Sequence, residues 1–272
     1  MGTKIYYFSG TGNSLHVATE LQKRIPETDI ISMVSLLKND IIKTGEQAVG
    51  FVFPIHLAMS PVPVRKFLGK LDLESAEYTF AVVTRAGSQH RAFKDIEKIL
   101  HKKGKSLDSH FNLNMASNDP KFEGFKAATE EEIADLESEV QNKLDSIQKV
   151  IINKEKIREK DTDFTVQVHA FSLLSLVLPI LNGFYNVEFY VNSKCMGCGT
   201  CEKVCLSGKI RIMDEKPVWQ KDIPCFSCHA CLNYCPEQAV QIKSNRFLKS
   251  YTEKNGRYSH PYATADDIAG QK

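Results

Sequence analysis

The stretch Ile5-Tyr6-Tyr7-Phe8-Ser9-Gly10-Thr11-Gly12-Asn13-Ser14 decides the fold of the first half of this 272-residue chain. It reads as a short apolar strand over residues 4–8, a glycine-rich turn, and the start of a helix over 13–25. Glycines let a backbone turn tightly around an anion. Ser9, Thr11, Asn13 and Ser14 add side-chain donors, and a helix N-terminus offers free amides and partial positive charge. The stretch therefore predicts a phosphate site built from Ser9, Gly10, Thr11, Gly12, Asn13 and Ser14. It lacks the lysine of a nucleotide P-loop. Leu15 stands near where a dinucleotide fingerprint requires its third glycine, so a nicotinamide site is disfavoured.

Downstream, apolar runs alternate with helical patterns. Strands are expected over residues 29–33, 48–53, 79–84 and 111–115, with helices over 61–68 and 88–103. A capping box, Thr129 with Glu132 three residues on, opens a long helix. Its stripe of Ile133, Leu136, Val140, Leu144, Ile147 and Ile151 would face a sheet. Such alternation predicts an α/β domain, a doubly wound parallel sheet with helices on both faces. The acidic run Glu130, Glu131, Glu132 reads as helix N-terminal charge.

All eight cysteines lie in two copies of one spacing, offset by 30 residues. Cys195, Cys198, Cys201 and Cys205 form a C-x2-C-x2-C-x3-C run; Cys225, Cys228, Cys231 and Cys235 repeat it, followed by Pro236. This spacing implies two [4Fe–4S] clusters, the fourth cysteine of each run reaching across to the other cluster. The crowding suits disulfides poorly, and structural zinc would want separated pairs. Residues 210–213 and 217–219 flank a hairpin turn at 214–216. A region of about 60 residues has little core of its own, so bound clusters would supply much of its folding free energy.

The net charge of +2, with 25% charged residues, gives no strong field for nucleic acid or an anionic surface. No apolar signal segment opens the sequence, and a cytoplasmic location is expected. The stretch 164–187 carries no formal charge, but only residues 173–181 are densely apolar. That length suits a buried segment rather than stable membrane insertion. The expected division is 1–160, an α/β domain; 161–186, an apolar linker or docking segment; 187–248, the cluster domain; and 249–272, a polar tail without periodicity.

On these residues the chain resembles known families. Phe8 to Ser14 is similar to the FMN-phosphate loop of flavodoxins, and the cysteine runs are similar to bacterial two-cluster ferredoxins. Residues 5–242 together resemble the clostridial-type fusions of a flavodoxin-like domain with a two-cluster ferredoxin domain. The resemblance implies a five-stranded parallel sheet in order 2-1-3-4-5 with FMN at the switch point, and a C-terminal α+β ferredoxin-like domain. It implies ring-holding loops at Pro54-Ile55-His56-Leu57 and Thr84-Arg85-Ala86-Gly87. These loops lack the aromatic residues that many flavodoxins stack on the ring. It also implies that Cys195, Cys198, Cys201 and Cys235 hold one cluster and Cys225, Cys228, Cys231 and Cys205 the other. One departure is Leu206, where the family carries proline after the fourth cysteine.

The resulting expectation is an electron carrier of anaerobic conditions, passing electrons between FMN, the clusters and an unidentified redox partner. No acid, base or nucleophile set for catalysis is legible. Two alternatives stand beside it: a flavin-dependent oxidoreductase that reduces a small molecule, and a flavin-free docking module. A homodimer is compatible with the sequence. Trp219 is expected to cover a cluster, His229 to be an exposed loop residue, and Arg85 to serve either as a solvated residue or as a partner of reduced flavin.

Overall fold

The structure is a computed structural model that describes residues 2–56, 58–87, 91–160, 187–246 and 248–272. The expected docking segment 161–186 and Leu57 lie outside the described residues.

Five parallel strands form the central sheet: β1 (Thr3–Tyr7), β2 (Thr28–Ser32), β4 (Ala48–Pro54), β6 (Tyr78–Arg85) and β7 (Ser109–Asn114), in the order β2-β1-β4-β6-β7. Two-residue strands β3 (Ile42–Lys43) and β5 (Leu71–Asp72) pair only with each other. Without them the order is 2-1-3-4-5, so the domain has the flavodoxin-like fold the sequence implied. Register fixes which side chains face which layer. Ile5 and Tyr7 pack on one face with Val17 and Leu21 of α1 (Asn13–Arg24) and with Val140, Leu144, Ile147 and Ile151 of α4 (Glu130–Ile152). Tyr6 and Phe8 pack on the other with Phe67 and Leu68 of α2 (Val62–Lys70) and with Ile96 and Leu100 of α3 (Ala92–His101). This is the two-residue period of a strand buried on both sides. Among the described residues α3 begins later than the sequence suggested, at Ala92. The capping box at Thr129 forms in both directions, but Ile133 and Leu136 are only half-buried because the first turns of α4 run past the sheet.

The cluster domain is a pseudo-symmetric pair of halves. β8 (Phe189–Val191) pairs antiparallel with β11 (Val240–Ile242), and β9 (Ile210–Met213) forms a hairpin with β10 (Lys216–Trp219). Asp214 and Glu215 both hold positive φ, as a two-residue hairpin turn demands. Short helices α5 (Thr200–Lys203) and α6 (Ala230–Asn233) occupy matching places in the two halves. The second apolar layer of the α/β domain runs without a break into this domain: Phe8 meets Phe226 edge-on at 6.4 Å.

The polar tail packs back on the molecule. Residues 258–271 are ordered against the N-terminal loop, and they include α7 (Ala265–Ala269) with its own capping box of Thr264 and Asp267. Tyr258 donates its hydroxyl to Asn13 Oδ1 (3.1 Å), and the His260 amide donates to the Thr11 carbonyl (2.8 Å). The Gln271 side-chain amide grips both backbone groups of Ser9, accepting from its N–H (3.0 Å) and donating to its carbonyl (2.8 Å). A backbone that finds its hydrogen bonds elsewhere in the molecule shows no periodic signature of its own.

His110, on β7, stacks on Phe93 of α3 with ring centroids 4.1 Å apart. Burial, and next the charge of Arg158, push its pKa down to about 4. A histidine lowered on folding contributes stability above its unfolded pKa, and that stability is lost as pH falls toward the folded value. His110→Phe should therefore remove on the order of 2 kcal/mol of the stability loss seen between pH 6.5 and pH 5. Denaturant midpoints of the two proteins at both pH values check this. Equal pH slopes would show that His110 is not the titrating group.

Candidate functional site

Strand β1 ends where the sheet order reverses, and there the backbone enters the predicted loop. Gly12, with φ of 103°, leads into α1 and supplies no side-chain cap. The first amides of α1 are thus left for another acceptor. Ser9 Oγ accepts from the Gly12 amide (3.1 Å) and closes the turn. Asn118 donates to Thr11 Oγ1 (2.6 Å), Asn13 donates to the Ala116 carbonyl (3.1 Å), and Ser14 and Thr84 share a hydroxyl–hydroxyl bond (2.8 Å).

A cleft of about 150 Å3 lies over this loop. Ser9, Gly10, Thr11, Asn13 and Ser14 line it. So do Pro54, Ile55 and His56 from the end of β4, and Thr84, Arg85 and Ala86 from the end of β6. The structure thus brings eleven of the fourteen expected residues together in one cleft. Gly12 faces elsewhere: a Cβ there would meet Ala263 at 2.5 Å and His260 at 2.7 Å, so its bareness admits the tail. Gly87 is not part of the wall.

The sequence reading missed two walls. One is the loop after β7, where Asn118, Asp119 and Lys121 line the cleft. The Asn118-Asp119-Pro120 turn signal directly after the last strand marked that loop. The other is Ser227, Cys228 and His229 of the cluster domain. Expected to be exposed, His229 is buried instead, because the two domains close on it. Ser227 and His229 hold left-handed backbone (φ 52° and 57°) where the first half places Gly197 and Gly199 (φ 73° and 77°). That conformation costs a non-glycine residue about 1 kcal/mol, so the second half carries side chains toward the cleft at a backbone cost the first half avoids.

Charge in the cleft is concentrated opposite the loop. Lys121 is almost fully buried and ion-pairs with Asp119, whose other oxygen lies 3.6 Å from His229 Nδ1. Burial works to raise the Asp119 pKa, but His229 and then Lys121 outweigh it and hold the carboxyl below its usual range. Desolvation pushes His229 down to about 4, and desolvation followed by the neighbouring His229 pushes His56 down to about 3. Both imidazoles are therefore neutral at physiological pH. Among the described residues, His56 Nδ1 and Asp119 Oδ1 are buried without a hydrogen-bond partner. Arg85, left open by the sequence reading, is buried, and its Nε donates to Asn114 Oδ1 (3.0 Å).

The cysteines gather into two sets. Cys195, Cys198, Cys201 and Cys235 line one small cavity. Cys205, Cys225, Cys228 and Cys231 line another. In each case the fourth cysteine comes from the other run. Burial pushes the Cys201 thiol up to about 11 and the Cys228 thiol up to about 12. The amides of Ser227 and Ala239 point at Cys225 Sγ (3.3 Å) and Cys235 Sγ (3.2 Å). Leu206 is buried in the wall of the second cavity, where its apolar side chain serves in place of proline. Trp219 lines the same cavity and stacks on Phe189 at 5.9 Å, as a covering residue would.

Residues 194–240 match the 4Fe-4S dicluster domain family. The chain is also 32% identical over 80 residues to an uncharacterized ferredoxin of Methanocaldococcus jannaschii, covering 25% of this chain and 95% of that one. The chain belongs to the dicluster ferredoxins. A third similarity is to a component of an ion-translocating oxidoreductase complex of Methanosarcina acetivorans, 35% identical over 49 residues; the match spans 18% of this chain and only 18% of that protein. Solved structures similar to the other part include an azoreductase from Bacillus anthracis (10% identity, TM-score 0.35, 56% of this chain and 100% of that chain). Another is the rubredoxin:oxygen oxidoreductase of Desulfovibrio gigas (13%, 0.35, 56% and 36%). The flavodoxin-like assignment rests on strand order rather than on these overlaps.

In this ferredoxin the cysteine loop packs directly on the bare Cα of Gly10. A Cβ on Gly10 would lie 2.2 Å from the Cys228 carbonyl oxygen. Gly10→Val should therefore force the cysteine loop away and cost on the order of 1–3 kcal/mol in denaturant unfolding under anaerobic conditions. The control Gly45→Ala, which meets nothing within 4 Å, should change stability by less than about 0.5 kcal/mol. Equal stability of Gly10→Val and the parent would mean the two domains do not meet there.

Proposed function

We propose that the chain is an electron-transfer protein holding FMN in the cleft and a [4Fe–4S] cluster in each cysteine cavity. One observation carries the reading: Cys228 and His229 belong to the wall of the cleft and to the wall of a cysteine cavity at once. The two cofactor sites share residues, so neither a mobile shuttle nor a second chain is needed to connect them.

The residues present fit both groups. Around the cleft, the loop from Ser9 to Ser14 with the open start of α1 would take the phosphate. The ring would meet His56, Arg85, Asp119 and Lys121, among them the two partnerless polar atoms. Buried unsatisfied atoms in a native protein call for a ligand or ordered water. Around the cavities, buried thiols raised by desolvation are poor free cysteines but suit a cluster, which takes them as thiolates. When bound, FMN exchanges one or two electrons and each cluster exchanges one.

The chain's own groups prepare the site. Lys121 places a buried positive charge in the wall, balanced by Asp119, which favours added negative charge nearby. Neutral His56 and His229 can donate or accept without bringing a second charge. Phe226 and Phe8 close the apolar side beneath. At the far cavity Cys198 and Met196 are exposed, and we assign the docking of a redox partner to that face.

Purified without oxygen, the protein is expected to carry about eight irons and one FMN per chain. Thr11→Asp, which sets a carboxylate among the phosphate donors, should abolish flavin retention and leave iron unchanged. Cys228→Ser should lower the iron content while sparing the other cavity. Iron, sulfide and flavin analysis reads all three. A folded, iron-loaded protein that takes up no added FMN would favour the docking-module reading instead.

A further inference from the structure

Away from the cleft, three groups from three segments converge: His16 on α1, Glu137 on α4 and His260 in the tail. His16 Nε2 lies 2.9 Å from Glu137 Oε1, and His260 Nε2 lies 4.0 Å from Glu137 Oε2. All three candidate ligand atoms fall within 4.8 Å of one another. The two imidazoles stack with centroids 4.3 Å apart and planes 25° apart, presenting both Nε2 atoms to the same carboxylate. Both histidines are buried, and Glu137 is 18% exposed.

We propose that His16, Glu137 and His260 form a zinc site that fastens the tail to the flavodoxin-like domain.

Three observations support it. First, the donor set is right: two imidazole nitrogens and one carboxylate oxygen suit zinc, whereas calcium and magnesium take oxygen donors. Second, the spacing is right. Bonds of about 2.0–2.2 Å in a tetrahedron put ligand atoms roughly 3.3 Å apart, and the distances here bracket that value. Third, the charge is unanswered. Among the described residues no lysine or arginine ion-pairs with Glu137; its partners are the two histidines and the Gln141 side-chain amide. The Tyr262 amide approaches His260 Nδ1 at 3.3 Å. Nδ1 accepts in that contact, whereas an imidazole bound through Nε2 carries its proton on Nδ1, so ion binding requires this contact to open. Tetrahedral zinc would complete its shell with water, since three protein donors converge here.

The site lies beside the clasp already described, for the His260 amide also holds the Thr11 carbonyl. A bound ion would therefore tie the tail, α1 and α4 together at one point.

The test uses the full chain, loaded anaerobically with iron and sulfide, incubated with zinc chloride and freed of excess by gel filtration. Elemental analysis should find about one zinc per chain beyond the iron, and X-ray absorption at the zinc edge should show nitrogen and oxygen at about 2.0–2.2 Å with no sulfur near 2.3 Å. His260→Ala and Glu137→Gln should each weaken zinc binding by at least about tenfold and leave iron content intact. Glu137→Gln keeps the hydrogen-bonding shape should His260→Ala fail to fold. A parent protein that retains no zinc, zinc ligated by sulfur, or variants that bind as the parent does would each reduce the cluster to a hydrogen-bonded histidine–carboxylate clasp and overturn the proposal.

Discussion

The arrangement depends on a missing side chain. Gly10 has nothing beyond its Cα, and the carbonyl of Cys228 occupies the place a Cβ would take. From that contact follow the shared wall of the cleft and the cysteine cavity, the burial of His229 and the meeting of Phe8 with Phe226. A glycine after the first strand of such a sheet is ordinarily explained by an anion's need for close backbone approach. Here the same bareness serves protein against protein at Gly10, and domain against tail at Gly12. One short loop accommodates three neighbours.

The two halves of the ferredoxin domain show how a duplicated unit becomes unequal. Both place left-handed backbone at equivalent positions, but only the half that faces the cleft spends side chains there. Gly197 and Gly199 serve the cavity on the outer side, where Cys198 and Met196 are exposed. Ser227 and His229 serve the cavity beside the cleft. Exposure and hydrogen bonding to sulfur set cluster potentials, so this difference gives the two cavities different surroundings despite equal cysteine spacing.

Much of this was legible in the residues. The cysteine runs named both cavities, and the strand–turn–helix at Phe8 to Ser14 named the sheet and the loop, because their spacings are local and their physics allows few alternatives. Regular strands and helices came out within a few residues for the same reason. What was not legible depends on contacts between distant parts of the chain. The burial of His229 needs the domain closure that no local pattern encodes. The burial of Lys121 beside Asp119 likewise depends on how the loop after β7 folds, which no local pattern marks. The tail has no periodicity since its partners are Ser9, Thr11 and Asn13, far away in sequence. Residues 161–186 held the one ambiguous apolar stretch and lie outside the described residues.

The grip of Gln271 on Ser9 spans 262 positions. A growing chain folds from its N-terminal side during synthesis, yet this loop depends on a partner made much later. The sheet and both cysteine runs can form while the clasp is still being translated. Final locking of that loop therefore waits for residues 262 positions further along the chain.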